Sequence, residues 1–218
     1  MTRTGLASAF SLAILCCSTL RETLAQDTEN PENTAPRLEE SIWRADIGGG
    51  FAKYAKAAEV RLSRGFGTHG LGSAVRHDLW LTQIQGGLML TEPLAAGHWY
   101  SGNLEGIGLL AAAGQENPEA AYFTGLNLGL RYHFNTRTRI VPFVGGSAGI
   151  GLTDIDRPDL SGRFQFNEQF GAGARYFFTR SHALVLDYAL LHVSNAGIER
   201  PNRGVNAHLL SLGVSWMF

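Results

Sequence analysis

Close to the carboxyl end, His192 and Ser194 stand two residues apart in the run "LLHVSNAG". A serine hydroxyl is a weak nucleophile until a base within hydrogen-bond reach takes its proton, and imidazole is the commonest such base. Residues two apart share a face on a strand, so the pair has chemical meaning if this segment is extended. The pattern around it is that of a strand: Leu184, Leu186, Tyr188, Leu190, His192 and Ser194 fall on one side, with Asp187 on the other. Alone, either polar residue is what a strand end carries at the level of lipid headgroups. Together they have the composition of a nucleophile and its base.

The elements that must hold this pair are strands throughout. Period-two alternation recurs over eight segments, at residues 42–53, 78–91, 98–114, 122–134, 140–153, 163–178, 182–194 and 205–218. No segment after Ser41 shows a sustained helical period with caps. With 27 glycines and 12 phenylalanines, the composition of the 218-residue chain agrees with an all-β reading. The connections alternate between brief ones, such as "NTRTR" and "TRS", and longer ones, such as "YAKAAEVRLSRGFGTHGLGSAVRH", "QENPEAA", "DIDRPDLSG" and "NAGIERPNRG". An even strand count with alternating turn and loop lengths predicts an eight-stranded antiparallel up-and-down transmembrane β-barrel over residues 41–218.

Face assignment sharpens that reading. In the fourth segment Leu126, Leu128, Leu130 and Tyr132 oppose Asn127, Arg131 and His133; in the sixth, Phe164, Phe166, Phe170 and Tyr176 oppose Gln165, Asn167, Gln169 and Arg175. Apolar residues facing out and polar residues facing in belong to a barrel in lipid; a soluble barrel of eight strands has little room for unpaired polar groups in a dry core. The glycine runs "GGSAGIG" and "GIGLLAAAG" lack the helix and the Lys-Ser/Thr pair of a phosphate loop and read as barrel bends.

Residues 1–25 read as a secretory signal peptide, with Arg3 ahead of the apolar run and cleavage after Ala25. Both cysteines lie inside it, and Leu15 before Cys16 does not fit a lipoprotein signal, so the exported chain is expected to carry no disulfide. Residues 26–40 are acidic, polar and proline-containing, the composition of a disordered periplasmic leader. A formal net charge of −1 offers no basic excess for nucleic acid, and the scattered histidines have no metal-ligand spacing, so neither metal nor other cofactor is expected. Oligomeric state is not legible.

The stretch "HVSNAG" followed by "PNRGVN", at the end of the penultimate strand of an exported eight-stranded barrel, resembles the lipid A 3-O-deacylase family. The match is specific around residues 191–206 and loose over the rest of the barrel. The resemblance implies an outer-membrane serine esterase acting on an ester-linked acyl chain of lipid A in the outer leaflet. It implies Ser194 as nucleophile, His192 as base, and Asn195 with the Gly197 backbone as holders of the oxyanion. Arg200 and Arg203 are placed to pair with lipid A phosphates, or equally to be solvated loop charges. The alternative is a non-enzymatic small barrel with a structural or surface-binding role.

One departure from the family pattern matters. The resemblance implies a glutamate in the last strand, where this chain has Asn206. Glu168 breaks the apolar outward face of the sixth segment between Phe166 and Phe170, and a carboxylate facing hydrocarbon or its border needs a partner. A tight hairpin through residues 179–181 sets Glu168 opposite His192. Glu168 is therefore expected to orient the ring and stabilise its charge, with Asn206 secondary and Glu199 a weaker rival. Snorkelling of Glu168 to water is the bland alternative.

Overall fold

The computed structural model describes residues 51–136 and 138–218. Eight strands follow in chain order: β1 (Lys56–Gly67), β2 (Asp78–Met89), β3 (Gly102–Asn117), β4 (Ala121–Phe134), β5 (Ile140–Thr153), β6 (Phe164–Phe177), β7 (His182–Ser194) and β8 (Val205–Met217). Each pairs antiparallel with its neighbour, and β1 pairs with β8, which closes the barrel. Closure leaves no free strand edge, so the ladder N–H and C=O groups find their partners within the barrel, as a hydrocarbon surrounding demands. At 12 to 16 residues the strands are long enough to cross a bilayer when tilted.

The first strand differs from expectation. Among the described residues it is Lys56–Gly67, inside the stretch read from sequence as a long connection, and residues 51–53, the described part of the expected segment, are not strand. Alternation is present there, with Ala58, Val60, Leu62 and Phe66 outward, but Glu59, Arg61 and Ser63 hold the inward positions. Charges at alternate positions look like a loop until the barrel supplies their partners. The β3–β4 connection is also short, at residues 118–120, and the glycine run at 145–151 is strand rather than bend. There β4 comes so close that a Cβ on Gly149 would meet Leu126 O at 2.0 Å. The signal peptide, the leader and most of the expected first strand lie outside the described residues.

The lumen is filled by charge pairs. Glu59 accepts from Arg131 at 3.0 Å and from Arg175 at 3.0 Å, Glu105 binds His133 at 2.7 Å, and Arg61 binds Asp187. All are buried, and removing one partner would strand the other in a low dielectric. The outer surface is a belt of exposed apolar side chains, among them Leu128, Phe170, Leu186, Leu210 and Leu212. Such a belt on a soluble surface would be an aggregation site; on a closed barrel it is the lipid face. The site must therefore be built where this belt meets the longer connections, at the ends of β6, β7 and β8.

Candidate active site

The alternation of β7 places His192 and Ser194 on the outer wall, two residues apart at the end of the strand beside the 195–204 connection. Both are half-buried. Strand register surrounds them: Phe166 of β6 pairs with Ser194, while His192 has Glu168 of β6 on one side and Asn206 of β8 on the other. The three residues Glu168, His192 and Asn206 thus lie in one row across three strands, all facing outward.

Their hydrogen bonding is unequal. His192 Nδ1 lies 2.6 Å from Asn206 Oδ1. Glu168 is exposed and makes no hydrogen bond or ion pair among the described residues. The sequence expectation gave Glu168 the primary place and Asn206 the secondary one, whereas the bond to the ring belongs to Asn206. Asn206 is buried although it points outward, because Ser73 of the β1–β2 connection closes over it. Its Nδ2 donates to Ser73 Oγ at 2.6 Å, and Ser73 Oγ donates to Gly204 O at 2.7 Å.

Gly204 is required here on two counts. Its φ of +81° lies in the left-handed region, and a Cβ on it would come within 2.6 Å of His192 Cε1. The ring therefore packs directly on the Gly204 backbone. Replacing Gly204 with alanine should displace the ring and lower any activity of the site by about tenfold or more, since a misplacement near 1 Å costs on the order of a hundredfold. Turnover by the folded Gly204→Ala barrel checks this.

A single buried carboxylate clamps the loops behind the ring. Asp159, in the β5–β6 connection, accepts from Ala74 N at 2.6 Å, Val75 N at 3.1 Å and His77 Nε2 at 2.9 Å. Its backbone carbonyl accepts from Arg203 N at 2.7 Å and Gly204 N at 3.3 Å. Burial alone would raise its pKa, but the Ala74 and Val75 amides and His77 hold it below the ordinary aspartate value. Asp159 thereby ties the segment carrying Ser73 to the segment carrying Gly204. Ser73, His77, Asp159 and Gly204 were not singled out from sequence; their proximity joins three separate connections, with Ser73 and Gly204 131 residues apart in the chain, and no local spacing encodes it.

The remaining residues singled out from sequence sit in the 195–204 connection. Asn195 is buried, with Nδ2 donating to Ser161 O at 2.9 Å and Glu199 O at 3.1 Å and Oδ1 accepting from Gly197 N at 3.0 Å. Its own N–H donates to Asn202 Oδ1 at 2.9 Å. This is an Asx turn locked into a loop, so the side chain of Asn195 and the N–H of Gly197 are engaged with each other here. Glu199 places its carboxylate against Gly162 of the neighbouring connection. Arg200 and Arg203 are exposed and form no ion pair among the described residues.

The chain has known counterparts in sequence family and in fold. The family model described as lipid A 3-O-deacylase (PagL) matches residues 69–215. Among solved structures, that of the outer membrane enzyme PagL is similar with a TM-score of 0.55 at 17% identity, covering 71% of this chain and 97% of that one. Neisserial surface protein A is similar to the same degree, with a TM-score of 0.55 at 16% identity over 75% of this chain and 99% of that one. At such identities the two likenesses establish the barrel fold and do not choose between its uses. No curated protein matches the chain in sequence. The family match spans all of the site described above, from Ser73 to Asn206, and with the closed apolar-faced barrel it identifies the chain as a bacterial outer-membrane protein belonging to the lipid A 3-O-deacylase (PagL) family.

Proposed function

We propose that the chain is an outer-membrane serine esterase that removes an ester-linked acyl chain from lipid A. The observation that carries this reading is the His192–Asn206 hydrogen bond beside Ser194 on the lipid-facing wall, where an acyl ester reaches the hydroxyl without leaving the membrane. With Nδ1 taken by Asn206, Nε2 is the ring nitrogen left for the serine proton. Cα atoms two apart on a strand are separated by about 7 Å; Ser194 Oγ makes no hydrogen bond among the described residues at rest, and a catalytic bond of this kind commonly tightens only in the substrate complex.

In the proposed reaction Ser194 Oγ attacks the ester carbonyl carbon as His192 Nε2 takes its proton. The tetrahedral intermediate collapses, the sugar oxygen leaves with the proton held by His192, and an acyl-serine remains. Water deprotonated by the same nitrogen then attacks the acyl carbonyl, releasing the fatty acid and restoring Ser194. Asn195 and Gly197 serve the oxyanion when the Gly197 N–H exchanges Asn195 Oδ1 for the substrate oxygen; one such donor commonly contributes about 3 to 4 kcal/mol. Arg200 and Arg203, exposed above the site, are the groups to bind lipid A phosphates.

A second reading has one observation in its favour: residue 206 is an amide, so no carboxylate bonds the histidine. On that reading the barrel is structural. Mass spectrometry of lipid A from cells with and without the protein decides between them. Deacylation predicts lipid A short of one ester-linked acyl chain only when the intact protein is present; identical lipid A in both cells would leave the structural reading.

A further inference from the structure

Asn206 has two ends that look alike in outline and opposite in chemistry, and which end meets His192 decides whether the ring is a base at the correct nitrogen. If Oδ1 faces the ring, Nδ1 must be the protonated nitrogen and Nε2 carries the lone pair. If Nδ2 faces the ring, Nδ1 must be the acceptor, Nε2 is protonated, and the ring cannot take a proton from Ser194. Nothing in the Asn206–His192 pair alone favours either arrangement.

The choice is made one residue further back. Gly204 O is a carbonyl and only accepts, so at 2.7 Å from it Ser73 Oγ must spend its single proton there. Ser73 Oγ is then an acceptor towards Asn206, which brings Nδ2 to Ser73 at 2.6 Å and turns Oδ1 to His192 at 2.6 Å. The reverse arrangement would ask the same hydroxyl proton to serve both Asn206 Oδ1 and Gly204 O, leaving one buried acceptor unpaired at a cost of about 1 to 3 kcal/mol. Ser73 and Asn206 are both buried, so water does not relieve that conflict. Asp159 fixes both ends of the Ser73 bond, through Ala74 on one side and Gly204 on the other.

We infer that Ser73 is a positioning residue whose hydroxyl polarity, set by Gly204 O, orients the Asn206 amide and so fixes His192 as the Nδ1-protonated tautomer with Nε2 free as base. The inference rests on the proposed esterase only for its consequence in turnover; the tautomer is a property of the resting protein. It accounts for an asparagine at a place where an amide is otherwise a poor partner, because the relay supplies the orientation that a carboxylate has by symmetry.

The test uses the barrel folded in detergent micelles with ¹⁵N-labelled histidine, the His192 signals being assigned by their loss in His192→Gln. In the parent chain His192 should show a protonated Nδ1 and an unprotonated Nε2. Ser73→Ala should shift both nitrogens towards a mixture of tautomers, and Ser73→Thr, which keeps the hydroxyl, should restore the parent pattern. In deacylation, Ser73→Ala should lose about tenfold or more in kcat with little change in KM. In an Asn206→Glu background, where both carboxylate oxygens accept, the same change should cost less than about threefold. A parent His192 protonated at Nε2, unmoved nitrogens in Ser73→Ala, or equal losses in both backgrounds would overturn the inference. The nitrogen signals answer without turnover, so expected shifts in a barrel that leaves lipid A intact support the positioning role while removing the esterase reading.

Discussion

Ser194→Ala and His192→Ala should each lower deacylation of lipid A by about a thousandfold or more while leaving a folded barrel. The size of the effect follows from what each removes. In the proposed mechanism there is no acyl-enzyme without Ser194, and without His192 the hydroxyl keeps its proton; a nucleophile and base that act as a unit make either loss cost nearly as much as both. Survival of the fold follows from where they sit. Both are half-buried on the outer wall, away from the Glu59, Arg131, Arg175 and Glu105 pairs that fill the lumen. The Ser194 side chain makes no hydrogen bond among the described residues, and loss of the His192 ring leaves only Asn206 Oδ1 without its donor, a cost of about 1 to 3 kcal/mol. Heat-modifiable gel mobility reports the closed barrel, and mass spectrometry of lipid A reports turnover. Cleavage at the parent rate by either folded variant would remove the pair from the chemistry.

How far this site could be read in advance depends on how its residues are brought together. Alternation in β4, β6 and β7 is clean, since Asn127, Arg131, Gln165 and Arg175 point in while leucines and phenylalanines point out, and those strands fall close to where the sequence places them. The row Glu168, His192 and Asn206 was within reach as well. A tight turn at 178–181 fixes the β6–β7 register, so a pairing across it is arithmetic. β1 was not legible because Glu59, Arg61 and Ser63 occupy every other position, and most of their partners lie on other strands, β2, β4, β6, β7 and β8. A charged residue whose main partners lie across a closed barrel looks solvated in one dimension. The Ser73–Asn206 bond and the Asp159 clamp share that difficulty: each ties a connection to an element far from it in the chain, and neither periodicity nor a turn length carries information across them.

The division of work between Asn206 and Glu168 gives the last expectation. A third group beside a catalytic histidine does two things: it fixes the tautomer, and it stabilises the positive charge that appears as the ring takes the proton. In a serine protease, exchanging the aspartate for asparagine costs about ten-thousandfold, largely because the wrong tautomer results. Here the amide end that would cause it is held by Ser73, so the first task is met and only the second lacks a group. Glu168 pairs directly across from His192 on the other side, where Cβ atoms lie about 4.5 to 5.5 Å apart, and it has no partner among the described residues. A carboxylate so placed at the edge of a low-dielectric surface acts on the imidazolium by charge without a hydrogen bond. Asn206→Ala should therefore lose about a hundredfold, since tautomer and orientation go together, and Glu168→Gln about tenfold, or roughly 1.4 kcal/mol of transition-state stabilisation. Glu199→Gln should change little, because that carboxylate packs against Gly162. Asn206→Glu supplies a charge in the hydrogen-bonding position itself, so adding Glu168→Gln to it should cost much less than tenfold. Deacylation by these folded variants in native-like membranes measures all four. Near-parent activity in Glu168→Gln alone would assign Glu168 to the headgroup border and leave Asn206 as the sole partner of the ring, while an undiminished tenfold loss in the Asn206→Glu background would show that Glu168 acts on the substrate rather than through His192.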